Sequence, residues 1–206
     1  MEIQLENVAK KFNKEWIFRK INLQLYHEET IAITGPNGSG KSTLLQLIAG
    51  SLLQTEGSID YQHAGHPISP DNIYKYLSLV APALSLPEDF TLVELISFHF
   101  KFKKLKSGQD INELPALFKL EKSKDKFVKN FSTGMKQRLK LGLAFYADSP
   151  LLLLDEPATN LDRHGFDWYL KEMEKVLQEK MIFVCSNRTE EYEFCKKYLN
   201  ILDYKM

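Results

Sequence analysis

The sequence predicts an α/β fold built on a mostly parallel central sheet, and three observations carry the prediction. The apolar run Ile31-Ala32-Ile33-Thr34 passes through a glycine-rich loop into a helical pattern that stops at Gly50. Four consecutive leucines, Leu151–Leu154, mark a strand covered on both faces, as central parallel strands are. A helical stretch over 163–178 then separates that strand from another apolar one, Met181–Val184.

Taken from the start, Glu2–Val8, Ile17–Leu25 and Ile31–Thr34 read as strands. The alternation of apolar and charged residues over Glu2–Val8 belongs to a strand and not to a signal peptide. Phe12 falls in the polar turn Lys10–Lys14, where it either stacks on a purine base or closes a small core; Trp16 competes for the same role. The loop Gly35-Pro36-Asn37-Gly38-Ser39-Gly40-Lys41-Ser42-Thr43 carries the full G-x-x-x-x-G-K-[ST] pattern between a strand and a helix. Its glycines let backbone N–H groups approach phosphate oxygens that a Cβ would obstruct. The helix opening at Lys41 aims its free N–H groups and positive dipole end at the same anion. Lys41 adds a charge for the β- and γ-phosphates, and the Ser42 hydroxyl suits Mg²⁺. The chain is therefore read as binding a nucleoside triphosphate.

Further along, Ser58–Tyr61 and Ile73–Val80 read as strands, and His63 and His66 flank a turn containing Gly65 rather than forming a metal site. Thr91-Leu92-Val93-Glu94 is a capping box that opens a helix, and a shorter helix is expected over Ile111–Phe118. Nine lysines between Lys101 and Lys129 read as a solvated face, with an anionic lipid or acidic partner as the alternative. Ser132 is a natural N-cap for a helix running to about Asp148. Asp155 and Glu156 close the leucine strand, where two carboxylates beside a core call for a counter-charge. With the glycine-rich loop upstream, Asp155 would hold Mg²⁺ and Glu156 would orient and polarise the attacking water. A last helix is expected after Ser186-Asn187-Arg188-Thr189.

Bulk properties narrow the function. A chain of 206 residues fits one domain, and 27 basic residues balance 27 acidic ones, so nothing global points to nucleic acid. Two cysteines, Cys185 and Cys195, are too few for a disulfide framework and fit a cytoplasmic chain. No apolar run approaches the ~20 residues of a membrane span. A GTPase is disfavoured because no N-K-x-D element occurs.

Together these residues resemble the ATP-binding subunit of an ABC transporter, over essentially the whole chain. Gly35–Thr43 resembles the Walker A motif, Leu151–Glu156 the Walker B motif, Ala158–Asp162 the D-loop and Phe131–Gln137 the family signature. The form Ser132-Thr133-Gly134-Met135 is similar to that of exporter-type subunits. The resemblance implies a P-loop NTPase core with an antiparallel β subdomain (residues 1–83 and 150–206) and a small helical lobe (84–149), all within one domain, 1–206. It favours Phe12 as the adenine-stacking aromatic. It implies two copies, or one copy and a paralogue, closing head-to-tail on ATP and Mg²⁺, with Ser132 and Gly134 of one facing the γ-phosphate held by the other's Lys41. The partner it implies is an integral membrane permease, most simply an exporter, with this chain peripheral on the cytoplasmic face and no nucleic-acid partner.

Two positions depart from the family pattern. Pro82 stands where the Q-loop glutamine belongs, and Asn187 where the switch histidine belongs. An amide can hydrogen-bond a γ-phosphate but cannot carry positive charge. The expectation is therefore a transport ATPase with catalytic Lys41, Glu156 and Asn187, hydrolysing slowly. Its competitor is an ATP-dependent assembly module that hydrolyses ATP hardly at all.

Overall fold

The computed structural model describes residues 1–205. Two sheets organise it. Five parallel strands stand in the order β6 (Leu77–Val80), β7 (Leu151–Asp155), β8 (Met181–Cys185), β3 (Thr30–Thr34) and β9 (Lys197–Asn200). Four antiparallel strands stand in the order β2 (Glu15–Leu25), β1 (Glu2–Phe12), β4 (Glu56–His63) and β5 (His66–Ile68).

The parallel strands are apolar throughout because both faces are covered, and alternation sorts their side chains between two cores. Ile31, Ile33, Leu151, Leu153, Met181 and Phe183 join helix α1 (Lys41–Ile48) and the antiparallel sheet on one side. Ala32, Leu152, Leu154, Ile182 and Val184 join α2 (Leu92–Phe102), α4 (Thr133–Tyr146) and α5 (Arg163–Val176) on the other. A short α3 (Leu114–Leu117) completes the helices, with Phe118 packed against Gly142 of α4.

Several local expectations hold. Thr91 and Glu94 form both bonds of the capping box, Ser132 accepts from the Met135 N–H, and His63 pairs with His66 across a hairpin turn. Both cysteines are buried and free.

Three element assignments are corrected. β1 continues through Phe12, so the turn is Asn13-Lys14, with Asn13 at a φ of 52°. Residues Pro70–Lys75 form a 3-10 turn and only Leu77–Val80 is strand, because Pro70 starts the turn and Ile73 fills the space beside Gly50. The expected last helix is a 3-10 turn (Thr189–Glu191), then edge strand β9 and another 3-10 turn (Ile201–Tyr204). Tyr192, Cys195 and Leu199 are spaced as on a helix, yet β9 recruits Leu199 into the sheet beside Ile33.

Candidate functional site

In a parallel sheet every strand ends on the same edge, so the loops after β3, β7 and β8 open together. The loop after β3 is Gly35–Gly40. Gly35 and Gly40 have φ of 137° and 108°, a region closed to most side chains. A Cβ on Gly40 would stand 2.5 Å from Ile17 Cγ2, and one on Gly35 2.6 Å from Ile201 Cγ2. Only glycine allows the backbone to lie this close to strand β2 at Gly40 and to the Ile201–Tyr204 turn at Gly35. The Ser39 hydroxyl is buried beside Gly35 without a hydrogen-bond partner.

The loop delivers the chain to α1, whose N-cap is Gly40 with no side-chain cap and no acidic residue in the first turn. Its first N–H groups are thus left to an external acceptor. Lys41 is 5% exposed, and its ammonium donates to Gly35 O at 2.7 Å, Pro36 O at 3.2 Å and Asn187 Oδ1 at 3.0 Å. All three partners are neutral oxygens. A buried cation so placed is stabilised by an anion arriving at the same loop.

Facing the loop, β7 ends in Asp155. Burial pushes the Asp155 carboxyl above its ordinary value, while a hydrogen bond from Ser42 draws it back, Glu156 raises it and Lys41 lowers it. Glu156 follows at a φ of 46°, its N–H bonded to Cys185 O at 2.8 Å and its Oε2 accepting from Thr159 at 3.4 Å. Asp155, Glu156, Lys41, Ser42, Thr43, Asn37, Gly38 and Gly40 all line one open groove of about 700 Å³, with Ile17 and Pro82 on its walls. That volume suits a nucleotide. The Asp155 carboxylate with the Ser42 hydroxyl is an all-oxygen pair suited to Mg²⁺, which takes one or two carboxylates and completes its shell with phosphate and water.

Not every predicted residue gathers here. Phe12 is 44% exposed at the end of β1, with the Lys10 ammonium 4.9 Å above its ring, and does not line the groove. Trp16 is taken up by Arg19, 4.3 Å from its ring, and by Lys11. Ser132 is exposed at the start of α4, and neither it nor Gly134 lines the groove.

Two residues of this region have a structural part for which the sequence assigns them no role: Gln137, the end of the signature-like stretch, and Ile17. Gln137 is buried and donates to Pro157 O at 2.6 Å, fixing α4 to the loop that follows Glu156. Ile17 was read only as a strand residue, and its chemistry gives no signal of a groove wall.

Comparison with known proteins finds relatives over most of the chain. The chain is 33% identical over 201 residues to the sulfate/thiosulfate import ATP-binding protein CysA 2 of Agrobacterium fabrum, a match covering 92% of this chain and 58% of that protein. It is 30% identical over 207 residues to the maltose/maltodextrin import ATP-binding protein MalK of Escherichia coli K12, covering 98% and 55%. The chain thus spans little more than half the length of these relatives. A solved ATP-binding subunit of an ABC transporter has the same fold, with a TM-score of 0.84 at 23% identity over 97% of this chain and 85% of that one. The slow turnover expected from Pro82 and Asn187 is not borne out by these comparisons. Residues 18–159, more than half of the sequence, match the ABC transporter family, and the chain belongs to that family, whose ATP-binding chains are ATPases.

Proposed function

We propose that this chain is the ATP-binding subunit of a membrane transporter, hydrolysing ATP to drive transport through a separately encoded permease from the cytoplasmic face of the membrane. One observation carries the reading: the buried Lys41 ammonium, held only by neutral oxygens, shares a groove with Asp155 and Glu156. Lys41 and the α1 N-terminus would hold the β- and γ-phosphates. Asp155 and Ser42 would hold Mg²⁺, which neutralises phosphate charge. Glu156 would orient the attacking water and Asn187 would hydrogen-bond near the γ-phosphate.

Ser132 and Gly134 stand outside the chain's own groove, which favours a second copy, or a paralogue, as the molecule whose ATP they meet. That head-to-tail pairing is part of the proposal. Export is not: the relatives carry import names, and direction is left to the permease.

The test is phosphate release by the chain with Mg²⁺-ATP, together with isolation from gently solubilised membranes. Hydrolysis and co-elution with a polytopic membrane protein are expected. ATP binding without phosphate release, or with no membrane partner, would favour the assembly-module reading and overturn this one.

A further inference from the structure

One wall of the nucleotide groove is the turn that follows β6. β6 runs in register with β7, Val80 opposite Leu154, so the chain leaves the sheet beside Asp155 and Glu156. It turns at once. The Leu84 N–H donates to Ala81 O at 3.2 Å, with Pro82 at the second position of the turn, where its fixed φ suits the geometry. Ala81, Pro82, Ala83 and Leu84 all line the groove.

Proline has no N–H and no polar side chain, so position 82 itself offers no donor to hold this turn against a neighbour. The hold comes from α4. The Lys140 ammonium donates to Ala81 O at 3.3 Å, so one carbonyl both closes the turn and receives the cation. Pro82, Ala83 and Leu84 also form one side of a smaller cleft, with Thr133, Gln137 and Lys140 of α4 on the other. The turn thus stands between the nucleotide groove and α4. Burial, with Lys136 nearby, pulls the Lys140 amine below its ordinary value. An aliphatic side chain would fill the same place on α4 without desolvating a charge.

We propose that Lys140 is a positioning residue for ATP hydrolysis, pinning Ala81 O to α4 and so holding the turn Ala81–Leu84 beside Asp155 and Glu156. The proposal rests on the roles assigned above to those two carboxylates. Lys140 does not line the groove itself and acts through the turn. Its contribution is to the reacting geometry and not to ATP binding, because the groups that would hold the phosphates, Lys41 and the α1 N-terminus, belong to the loop after β3 and the helix it opens.

The experiment compares Lys140→Met, which keeps the aliphatic stem and loses the donors, with Lys140→Arg, which keeps a cation and its donors. Steady-state phosphate release by the full chain over a range of Mg²⁺-ATP gives kcat and KM, and thermal melting establishes that each variant is folded. The expected result is that Lys140→Met loses at least fivefold in kcat while KM for ATP stays within twofold, and that Lys140→Arg retains a third or more of wild-type kcat. Lys140→Ala, which also lacks the donors, should match Lys140→Met and replaces it should that variant not fold. Wild-type kcat without the donors, a loss that falls on KM, or Lys140→Arg as slow as Lys140→Met would overturn the proposal. Wild-type chain that binds ATP but releases no phosphate would overturn the hydrolytic reading, and this proposal with it.

Discussion

The Lys41 ammonium donates to Asn187 Oδ1 at 3.0 Å, and the Asn187 amide donates onward to Asn37 Oδ1 at 2.5 Å. One side chain from the loop after β8 is thereby tied to the lysine and to the Asn37 side chain of the loop after β3. Asn187 is the bridge between them. Asn187→Ala removes a hydrogen-bonding group where the γ-phosphate would develop charge. Deleting one such donor typically lowers turnover about 10²–10³-fold. We predict that phosphate release falls at least tenfold, with ATP affinity changed less than threefold. Turnover equal to wild type would show that Asn187 takes no part.

Lys41→Ala tests the phosphate cradle directly. Charge-assisted hydrogen bonds are worth roughly 1.5–3 kcal/mol each, so ATP affinity should fall tenfold or more in a binding titration. The fold should survive, since the ammonium's own partners are the carbonyls of its loop and Asn187. Unchanged affinity would refute the assignment.

Glu156→Gln keeps the shape of the side chain but removes the base. Mg²⁺-ATP should then hold the variant as a dimer that is transient in the wild type, visible as an earlier peak in size-exclusion chromatography. A variant that stays monomeric at saturating ATP would count against head-to-tail pairing.

Lys180 supplies a prediction on stability. It is buried and donates to Ala147 O at 2.6 Å and Ser149 O at 2.9 Å, and burial holds its amine down to about 8 from 10.5. Below pH ~8 it is charged in both folded and unfolded chains, and the folded state carries the full cost of burying that charge. Between pH ~8 and 10.5 the folded state sheds the proton first and the cost is relieved. The stability of wild type relative to Lys180→Met should accordingly rise from pH 7.5 to 9.5 in urea unfolding. A difference that stays flat or falls would contradict the burial argument.

What the sequence made legible was chemistry confined to a few neighbouring positions. The glycine loop, the leucine strand and the Thr91–Glu94 capping box each carry their physics within nine residues, and each stands in the structure as read. Features decided by distant chain were not legible. The β1–β2 turn lacks the usual Asn-Gly signal, so Phe12 read as a turn residue although it ends a strand. Helical spacing of Tyr192, Cys195 and Leu199 concealed β9, whose only claim to strand is its place beside β3. The burial of Glu191 and Lys180 carries no local signal, because it is imposed on them by other segments.

The start of α4 and the loop beyond Glu156 touch without slack. A methyl on Gly134 would stand 2.8 Å from Asn160 O, and Gln137 reaches Pro157 O at 2.6 Å. Neither contact has a hinge in it. In the head-to-tail pair, the helix start that senses a neighbour's triphosphate would thus be bolted to the loop that sets this chain's own water-orienting carboxylate. Each copy would then relay the occupancy of one nucleotide to the hydrolysis of the other as a lever does, by rigid displacement, with its own chain as the arm.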